Sequence, residues 1–177
     1  MIMINKVEHT IKKYHLLKMG DHVVVALSGG ADSCALLWCL VHLSDAYDLK
    51  LTAAHFNHGL RKEQSDEDEV FCHDLAKKFG VEFLAQKLPD PSVPRGVSPE
   101  DYLRRERYRF LDGVAAESGA DKIALGHHLQ DQAETVLLNI MRGSGLDGLK
   151  GFLPIRDGKY IRPLIDVTRK EITTALK

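Results

Sequence analysis

The sequence has 177 residues, the length of one ordinary domain, of which 44% are hydrophobic and 28% are charged. Such a chain can bury a sizeable core without a metal or disulfide staple, which excludes disorder, a collagen-like chain and a disulfide scaffold. Its 24 Lys and Arg against 25 Asp and Glu give a net charge of −1, so composition carries no global signature of nucleic-acid binding.

The charges are nevertheless segregated along the chain. Residues 63–74 hold six acids and no Lys or Arg, whereas residues 142–177 hold eight Lys or Arg against four acids. No apolar run approaches the roughly 20 residues of a membrane span, so a cytoplasmic protein with no membrane partner is the default expectation. The three cysteines have no CxxC spacing and cannot all pair, which predicts buried thiols at Cys34, Cys39 and Cys72.

Hydrophobic periodicity alternates between strand-like and helix-like segments. Strands are predicted over residues 22–27, 51–56, 81–86, 123–126 and 159–165. Helices are predicted over residues 3–18, from 32 or 33 to about 43, from 65 to 79, from 99 to just before 119, over 131–141 and from about 166 onward. This alternation predicts the α/β class, with a doubly wound, mainly parallel five-stranded sheet that carries helices on both faces.

Polar residues and glycines mark several helix ends. Ser65 with Asp68 resembles a capping box, Ser98 is a predicted N-cap, and Gly143 is a predicted helix stop. The helix before Gly143 carries apolar positions that we predict to be core, namely Val136, Leu137, Leu138 and Ile140.

A glycine turn follows the first predicted strand and leads into a helix. Backbone N–H groups of Ser28, Gly29 and Gly30 can converge there on an anion, because glycine permits close approach and the helix N-terminus carries roughly half a positive charge. The Ser28 and Ser33 hydroxyls add hydrogen-bonding groups. We predict a polyphosphate ligand, and the absence of GxxxxGK[ST] and GxGxxG argues against a P-loop kinase and a simple dinucleotide site.

Asp32 is the unusual residue of this turn. A carboxylate beside a phosphate is repulsive unless a cation lies between them, and Mg²⁺ prefers carboxylate together with phosphate oxygens. We therefore predict that Asp32 is a metal ligand and a catalytic residue. The alternative is a tight turn in which Asp32 only caps the helix.

Four ordered motifs carry a resemblance to a known family. SGGADS resembles the SGGxDS pyrophosphate-binding motif of the PP-loop (N-type) ATP pyrophosphatases, which cleave ATP between the α and β phosphates and adenylate a substrate. The other three resemble, more narrowly, the tRNA(Ile)-lysidine synthase family: HFNHGLR (55–61), GHHLQDQAETVLLNIMRGSGLDGLKG (126–151) and RPLIDVTRKEI (162–172). The resemblance covers about residues 20 to 175. It implies an adenine nucleotide alpha hydrolase-like fold, ATP and Mg²⁺ as cofactors, and ATP binding by Ser28, Gly29, Gly30, Asp32 and Ser33.

His55, Asn57 and Arg61 follow the second predicted strand, where the resemblance implies that they border the nucleotide. His55 and His58 lack a third ligand at a recognisable spacing, so a zinc site is not predicted. We predict that His55, Asn57 and Arg61 bind ATP or shape its pocket. An equally open interpretation is that His55 caps its strand through backbone hydrogen bonds.

The helix predicted from residue 99 carries four arginines. Arg104, Arg107 and Tyr108 match an Arg-x-x-Arg-Tyr element of the family, which implies that an arginine there binds the amino-acid substrate or ATP. We predict Arg107 as catalytic and Arg104 as substrate-binding. A solvated helix with ion pairs is the alternative for most of these arginines.

The segment after the fourth strand supplies the remaining predicted site residues. Gly126 is predicted to bind ATP, and His128, Asp131 and Glu134 to bind substrate, with Asp131 also catalytic through the lysine amine. The family commonly has two acids where this chain has Gln130 and Asp131, which leaves one carboxylate. Acids in a first helical turn can also act only as caps.

Arg142 is the last predicted substrate contact. Beside Ser144, it could meet phosphate of leaving pyrophosphate or of a tRNA backbone. A flexible glycine-rich linker is an equally open interpretation.

The resemblance implies ATP-dependent ligation of L-lysine to C2 of the wobble cytidine of tRNA(Ile) with a CAU anticodon. A PP-loop tRNA thiolase and a non-catalytic ATP-binding module are the alternatives, and a homodimer is a possible assembly. We expect residues 1–177 to form one PP-loop catalytic domain that lacks the C-terminal tRNA-binding domains usual in the family.

Overall fold

The computed structural model describes residues 2–61, 63–89, 92–143 and 151–176 of the chain. The strands are β1 (His22–Ala26), β2 (Lys50–Asn57), β3 (Glu82–Lys87), β4 (Lys122–Ala124), β5 (Ile155–Arg156) and β6 (Tyr160–Ile161). The helices are α1 (Ile2–Tyr14), α2 (Ala31–Tyr47), α3 (Glu63–Lys78), α4 (Pro99–Ser118), α5 (Leu129–Met141) and α6 (Arg169–Ala175). The predicted alternation is confirmed, and β5 is an additional strand that the periodicity did not indicate.

The six strands form one sheet in the order β3-β2-β1-β4-β6-β5. Four pairings are parallel, and β5 alone runs antiparallel to its neighbour β6. The predicted five-stranded parallel arrangement is therefore confirmed, with a sixth strand at the edge. The chain moves outward from β1 to β3 and then crosses to β4 on the other side of β1. Open α/β sheets bind ligands at such a reversal, beyond the carboxyl ends of the strands.

Helices cover both faces of the sheet, as the central strand β1 demonstrates. Val23 and Val25 pack into a core formed with α1, α2, α3 and α6, whereas Val24 packs with α4 on the opposite face. All three side chains are fully buried. Because successive strand residues point to opposite faces, this apolar run fits a strand that is covered on both sides.

The apolar residues of helix α5 do not lie in the core, contrary to the prediction. Leu137, Leu138 and Ile140 are 59%, 49% and 51% exposed, and α5 contributes no buried residue to the described part of the structure. The core prediction for these residues was wrong, because an apolar pattern identifies one face of a helix but not what covers it. None of the helices in the described ranges, α5 included, has the length and apolar character needed to cross a membrane.

Two predicted helix starts also differ from the structure. Helix α3 begins at Glu63, so Ser65 lies inside its first turn and its Oγ accepts a hydrogen bond from the Arg61 backbone N–H at 3.3 Å, instead of forming a capping box with Asp68. Helix α6 begins at Arg169, after a capping box between Thr168 and Glu171. The start of α6 is set by the Thr168 cap, which hydrophobic periodicity does not record.

Candidate active site

The carboxyl ends of β1, β2 and β4 open into a cleft with two lobes. The inner lobe has a volume of about 190 Å³ and the outer lobe about 570 Å³. Ser28, Gly30, Phe56, Arg107 and His127 line both lobes. Apolar side chains dominate the rest of the inner lobe, which suits a planar base, whereas most residues that line the outer lobe are of polar or charged types. The apolar part of the inner lobe comprises Ala26, Leu27, Ala54, Leu111 and Leu125.

The glycine turn is held by hydrogen bonds within the turn. Ser33 Oγ accepts from the Ser28 backbone N–H at 3.1 Å and donates to the Gly30 carbonyl at 2.9 Å, while the Ser28 and Ser33 hydroxyls lie 3.1 Å apart. Gly29 has φ +84°, a conformation that favours glycine.

Gly30 is the N-cap of α2, and within the described residues no side chain caps this helix. Its first N–H groups therefore remain available, and an uncapped helix N-terminus at the wall of a cleft is suited to bind an anion. Of the predicted anion-binding residues, Ser28, Gly30 and Ser33 all line the inner lobe.

Gly126 allows the loop after β4 to approach this turn. A Cβ atom at Gly126 would lie 3.2 Å from the Ser33 backbone nitrogen and 3.3 Å from the Asp32 carbonyl carbon. Both neighbours are backbone atoms, which cannot rotate away as a side chain can. Glycine at this position therefore keeps the β1–α2 and β4–α5 connections in contact.

Asp32 lies in the first turn of α2 and is one of the residues that line the inner lobe. Its Oδ1 atom is buried and has no hydrogen-bond partner among the described residues, with His128 Nε2 at 3.7 Å. In the same part of the chain, no cluster of three or more His, Cys, Asp or Glu could form an all-protein metal site. An unpartnered carboxylate beside an anion site fits Mg²⁺, which takes one or two carboxylates and completes its shell with phosphate and water.

The loop after β2 is largely bonded within the protein. His55 is buried and its Nδ1 donates to the Leu27 carbonyl at 2.9 Å, while its Nε2 has no partner within the described ranges. The Asn57 amide donates to Asp66 and Glu69, both at 2.9 Å. His55 therefore makes the backbone hydrogen bond of the alternative interpretation, and Asn57 anchors the loop to α3.

The positive side chains predicted for the site lie on its walls and rim. Arg107 lines both lobes, and Arg104 and Arg61 line the outer lobe. The Arg61 side chain is 60% exposed and pairs with Asp68 at 3.5 Å, so it lies at the rim.

His127 lines both lobes and was not among the predicted site residues. The buried Arg162 donates from Nε to His127 Nδ1 at 3.3 Å, so the proton of the neutral imidazole is on Nε2. Burial, reinforced by the Arg162 charge, lowers the pKa of His127 to about 4. At neutral pH His127 is therefore an uncharged donor at the junction of the lobes. The doubled His of GHH and the Arg of RPLI are the sequence signals that could have indicated it.

The α5 residues predicted to bind substrate have other positions. His128 is 2% exposed and is the N-cap of α5, and the Asp131 Oδ2 atom accepts from the His128 backbone N–H at 2.9 Å. Glu134 is exposed, and Arg142 caps the far end of α5, about 20 Å from its start at 1.5 Å per residue. Within the described ranges, none of these four lines either lobe, and Ser144 lies outside those ranges.

Comparison with known proteins agrees with this geometry. The family described as the PP-loop domain matches residues 2–177. The chain belongs to the PP-loop family. The match includes the SGGADS turn, whose residues Ser28, Gly30, Asp32 and Ser33 line the inner lobe.

Among curated proteins, this PP-loop domain is similar to tRNA(Ile)-lysidine synthases. The Clostridium tetani enzyme is 42% identical over 172 residues, which cover 96% of this chain and 37% of that protein. The Geobacter sulfurreducens enzyme is 42% identical over 177 residues, with 98% and 37% covered. The chain thus spans a little over a third of the length of the curated relatives it matches.

A solved PP-loop structure shares the fold. The U34-tRNA thiolase from Methanococcus maripaludis, which has a [4Fe-4S] cluster, aligns with a TM-score of 0.78 and 23% identity, covering 98% of this chain and 63% of that one. This likeness shows the fold alone. The three cysteines of the present chain are buried, as predicted, and burial raises the pKa of both Cys39 and Cys72 to about 12. Such thiols are protonated and inert at neutral pH.

Proposed function

We propose that this chain is the ATP-binding, adenylating domain of a tRNA(Ile)-lysidine synthase. The carrying observation is the uncapped N-terminus of α2 at the SGGADS turn, with the Asp32 carboxylate beside it. In the reaction, the C2 oxygen of the wobble cytosine attacks the α-phosphorus of ATP and pyrophosphate leaves. The lysine amine then attacks C2, AMP departs with the oxygen, and the amine loses a proton.

The two lobes suggest where each part of the nucleotide binds. The apolar inner lobe suits the adenine, and the free N–H groups of α2 suit the pyrophosphate that departs. Arg107 and the neutral His127 line both lobes, so they are placed to stabilise charge that develops between these parts. Mg²⁺ bound by Asp32 and phosphate oxygens would neutralise charge on the leaving group.

Lysine recognition by Asp131 and Glu134 stays a prediction. The Asp131 side chain is 33% exposed and uses Oδ2 in the cap, so its other oxygen is the one open to an amine. Binding of tRNA(Ile) with a CAU anticodon, a homodimer and a cytoplasmic location also stay predictions. A domain of net charge −1 is expected to hold tRNA weakly, and more weakly as salt increases.

A single assay at low salt separates the candidate activities. The purified chain is incubated with Mg·ATP, L-lysine and excess unmodified tRNA(Ile) with a CAU anticodon, and pyrophosphate release and nucleoside masses are measured. Pyrophosphate release that needs both lysine and tRNA, with the lysidine mass at the wobble position, supports the proposal. A transcript with uridine at that position is the matched control and should give no product. Sulfur incorporation from a sulfide donor would support a thiolase. ATP binding without turnover would support a non-catalytic ATP-binding module.

A further inference from the structure

His128 is a buried side chain whose imidazole contacts two helix starts. It is the N-cap of α5, and its Nδ1 accepts from the backbone N–H groups of Gln130 at 3.2 Å and Asp131 at 3.4 Å. Its other nitrogen, Nε2, points toward Asp32 in the first turn of α2. The ring therefore bridges the two connections that form the cleft.

The capping bonds determine where the proton of the ring lies. Nδ1 accepts hydrogen bonds, so it carries no proton, and the proton of the neutral ring must be on Nε2. Nε2 lies 3.7 Å from Asp32 Oδ1, about 0.7 Å more than an ordinary hydrogen-bond length. Both atoms are buried, and neither has another hydrogen-bond partner within the described residues. A buried donor and a buried acceptor thus face each other with a gap that a small shift of the Asp32 side chain would close.

We infer that His128 is a positioning residue for Asp32: its Nε2–H donates to Oδ1 when nucleotide binds, and this leaves the second carboxylate oxygen to face the cation. The inference rests on the proposed function, because it assigns Asp32 to a cation beside ATP. A partner that fixes the orientation of a metal-binding carboxylate typically changes metal affinity by about 10- to 100-fold when it is removed. His128 therefore acts on the site without touching the substrate.

Two substitutions separate this role from helix capping. His128→Asn keeps a short acceptor, which suits an N-cap, but cannot reach Asp32. His128→Gln extends an amide donor to about the position of Nε2 but is a poor cap. We expect His128→Asn to keep the wild-type melting temperature. The factor by which Mg²⁺ raises its ATP affinity, however, should be about tenfold smaller than in the wild type. We expect His128→Gln to melt earlier but to keep most of that gain.

The readout is the dissociation constant for ATP, measured by calorimetry with Mg²⁺ and again with EDTA, together with ¹⁵N-histidine NMR of the wild-type chain. In the spectra, the His128 signals should show the Nε2–H form, and the proton should move downfield when Mg·ATP binds. If the wild-type chain gains no ATP affinity from Mg²⁺, the proposed cation site and this inference both fail. If the wild type gains affinity and His128→Asn gains as much, the inference alone is overturned. If both variants unfold, an Nδ1–H form, or an unmoved Nε2–H signal, in the wild-type spectrum overturns it.

Discussion

Helices α2 and α5 follow neighbouring parallel strands and begin at the same edge of the sheet, but their first turns are completed differently. Gly30, the N-cap of α2, has no side chain, and no side chain in the described residues replaces it. The N-cap of α5, His128, forms a reciprocal capping box with Asp131. The N–H groups of α2 are therefore open to an anion, whereas those of α5 are already used. Both helices begin at a strand end, but of these two described helices only α2 has the free N–H donors that the proposed anion site requires.

The same contrast applies to the two acids. Asp32 and Asp131 each lie in the first turn of their helix, where a carboxylate is favoured by the helix dipole. Asp131 accepts a backbone hydrogen bond at 2.9 Å, while Asp32 Oδ1 has no such bond in the described part of the chain. The sequence pattern is the same for both acids, but within the described ranges Asp131 serves a helix cap and Asp32 does not.

The largest expected effect comes from forcing the two helix starts apart. Gly126→Ala would place a methyl group 3.2 Å from the Ser33 nitrogen, so the glycine turn or the β4 loop must shift. We expect ATP affinity to fall by at least about tenfold, because the N–H groups of α2 lose their alignment. Fluorescence titration with a labelled ATP analogue measures it.

Gly113→Ala is the matched control for this change. Gly113 lies in α4, where an added Cβ meets nothing within 4 Å. The substitution should stabilise the chain by about 0.5–1 kcal/mol and leave ATP binding unchanged. Equal ATP affinities for Gly126→Ala and the wild type would show that the close approach is not required.

Matched substitutions of the two acids sharpen the comparison. Asp32→Asn should remove most of the Mg²⁺-dependent part of ATP affinity, about tenfold or more, because the charge that binds the cation is lost. Asp131→Asn should keep ATP affinity within about twofold, because the amide oxygen can still accept in the cap. Calorimetric titration with ATP, with and without Mg²⁺, gives both values. A larger loss for Asp131→Asn than for Asp32→Asn would reverse their assignment.

The sequence predicted the parallel sheet and the SGGADS turn because their signals are local. A β-branched run followed by Ser-Gly-Gly sets strand, turn and helix within residues 22–33. The roles of His127 and His128 were not predictable in this way, because they depend on Arg162 and Asp32, which are distant in the chain. The core prediction for Leu137 failed for a related reason, since periodicity records an apolar face without its neighbour.

His127 provides a pH test of the loop between β4 and α5. Its pKa of about 4 lies below the ordinary value of about 6.5, so the unfolded chain binds the proton more readily than the folded chain. Stability from this group is complete above about pH 6.5 and falls as the pH drops toward 4, by about 2 kcal/mol at pH 5. Urea unfolding at pH 7.5 and pH 5 should show a smaller difference for His127→Gln than for the wild type. Equal differences would mean that another group causes the acid sensitivity.

The smallest expected effect concerns α6, whose capping box is the internal standard for that of α5. Thr168 Oγ1 accepts from the Glu171 backbone N–H at 3.3 Å, and Glu171 accepts from the Thr168 N–H at 2.7 Å. Thr168→Ala removes the first bond, so the free energy of unfolding should fall by about 1 kcal/mol with no change in ATP affinity. Asp131→Ala, measured by the same urea titrations, should cost a similar amount if its main role is capping. The opposite result would be wild-type stability with loss of lysine-dependent pyrophosphate release. In that case Asp131, like Asp32, would serve the reaction and not the helix.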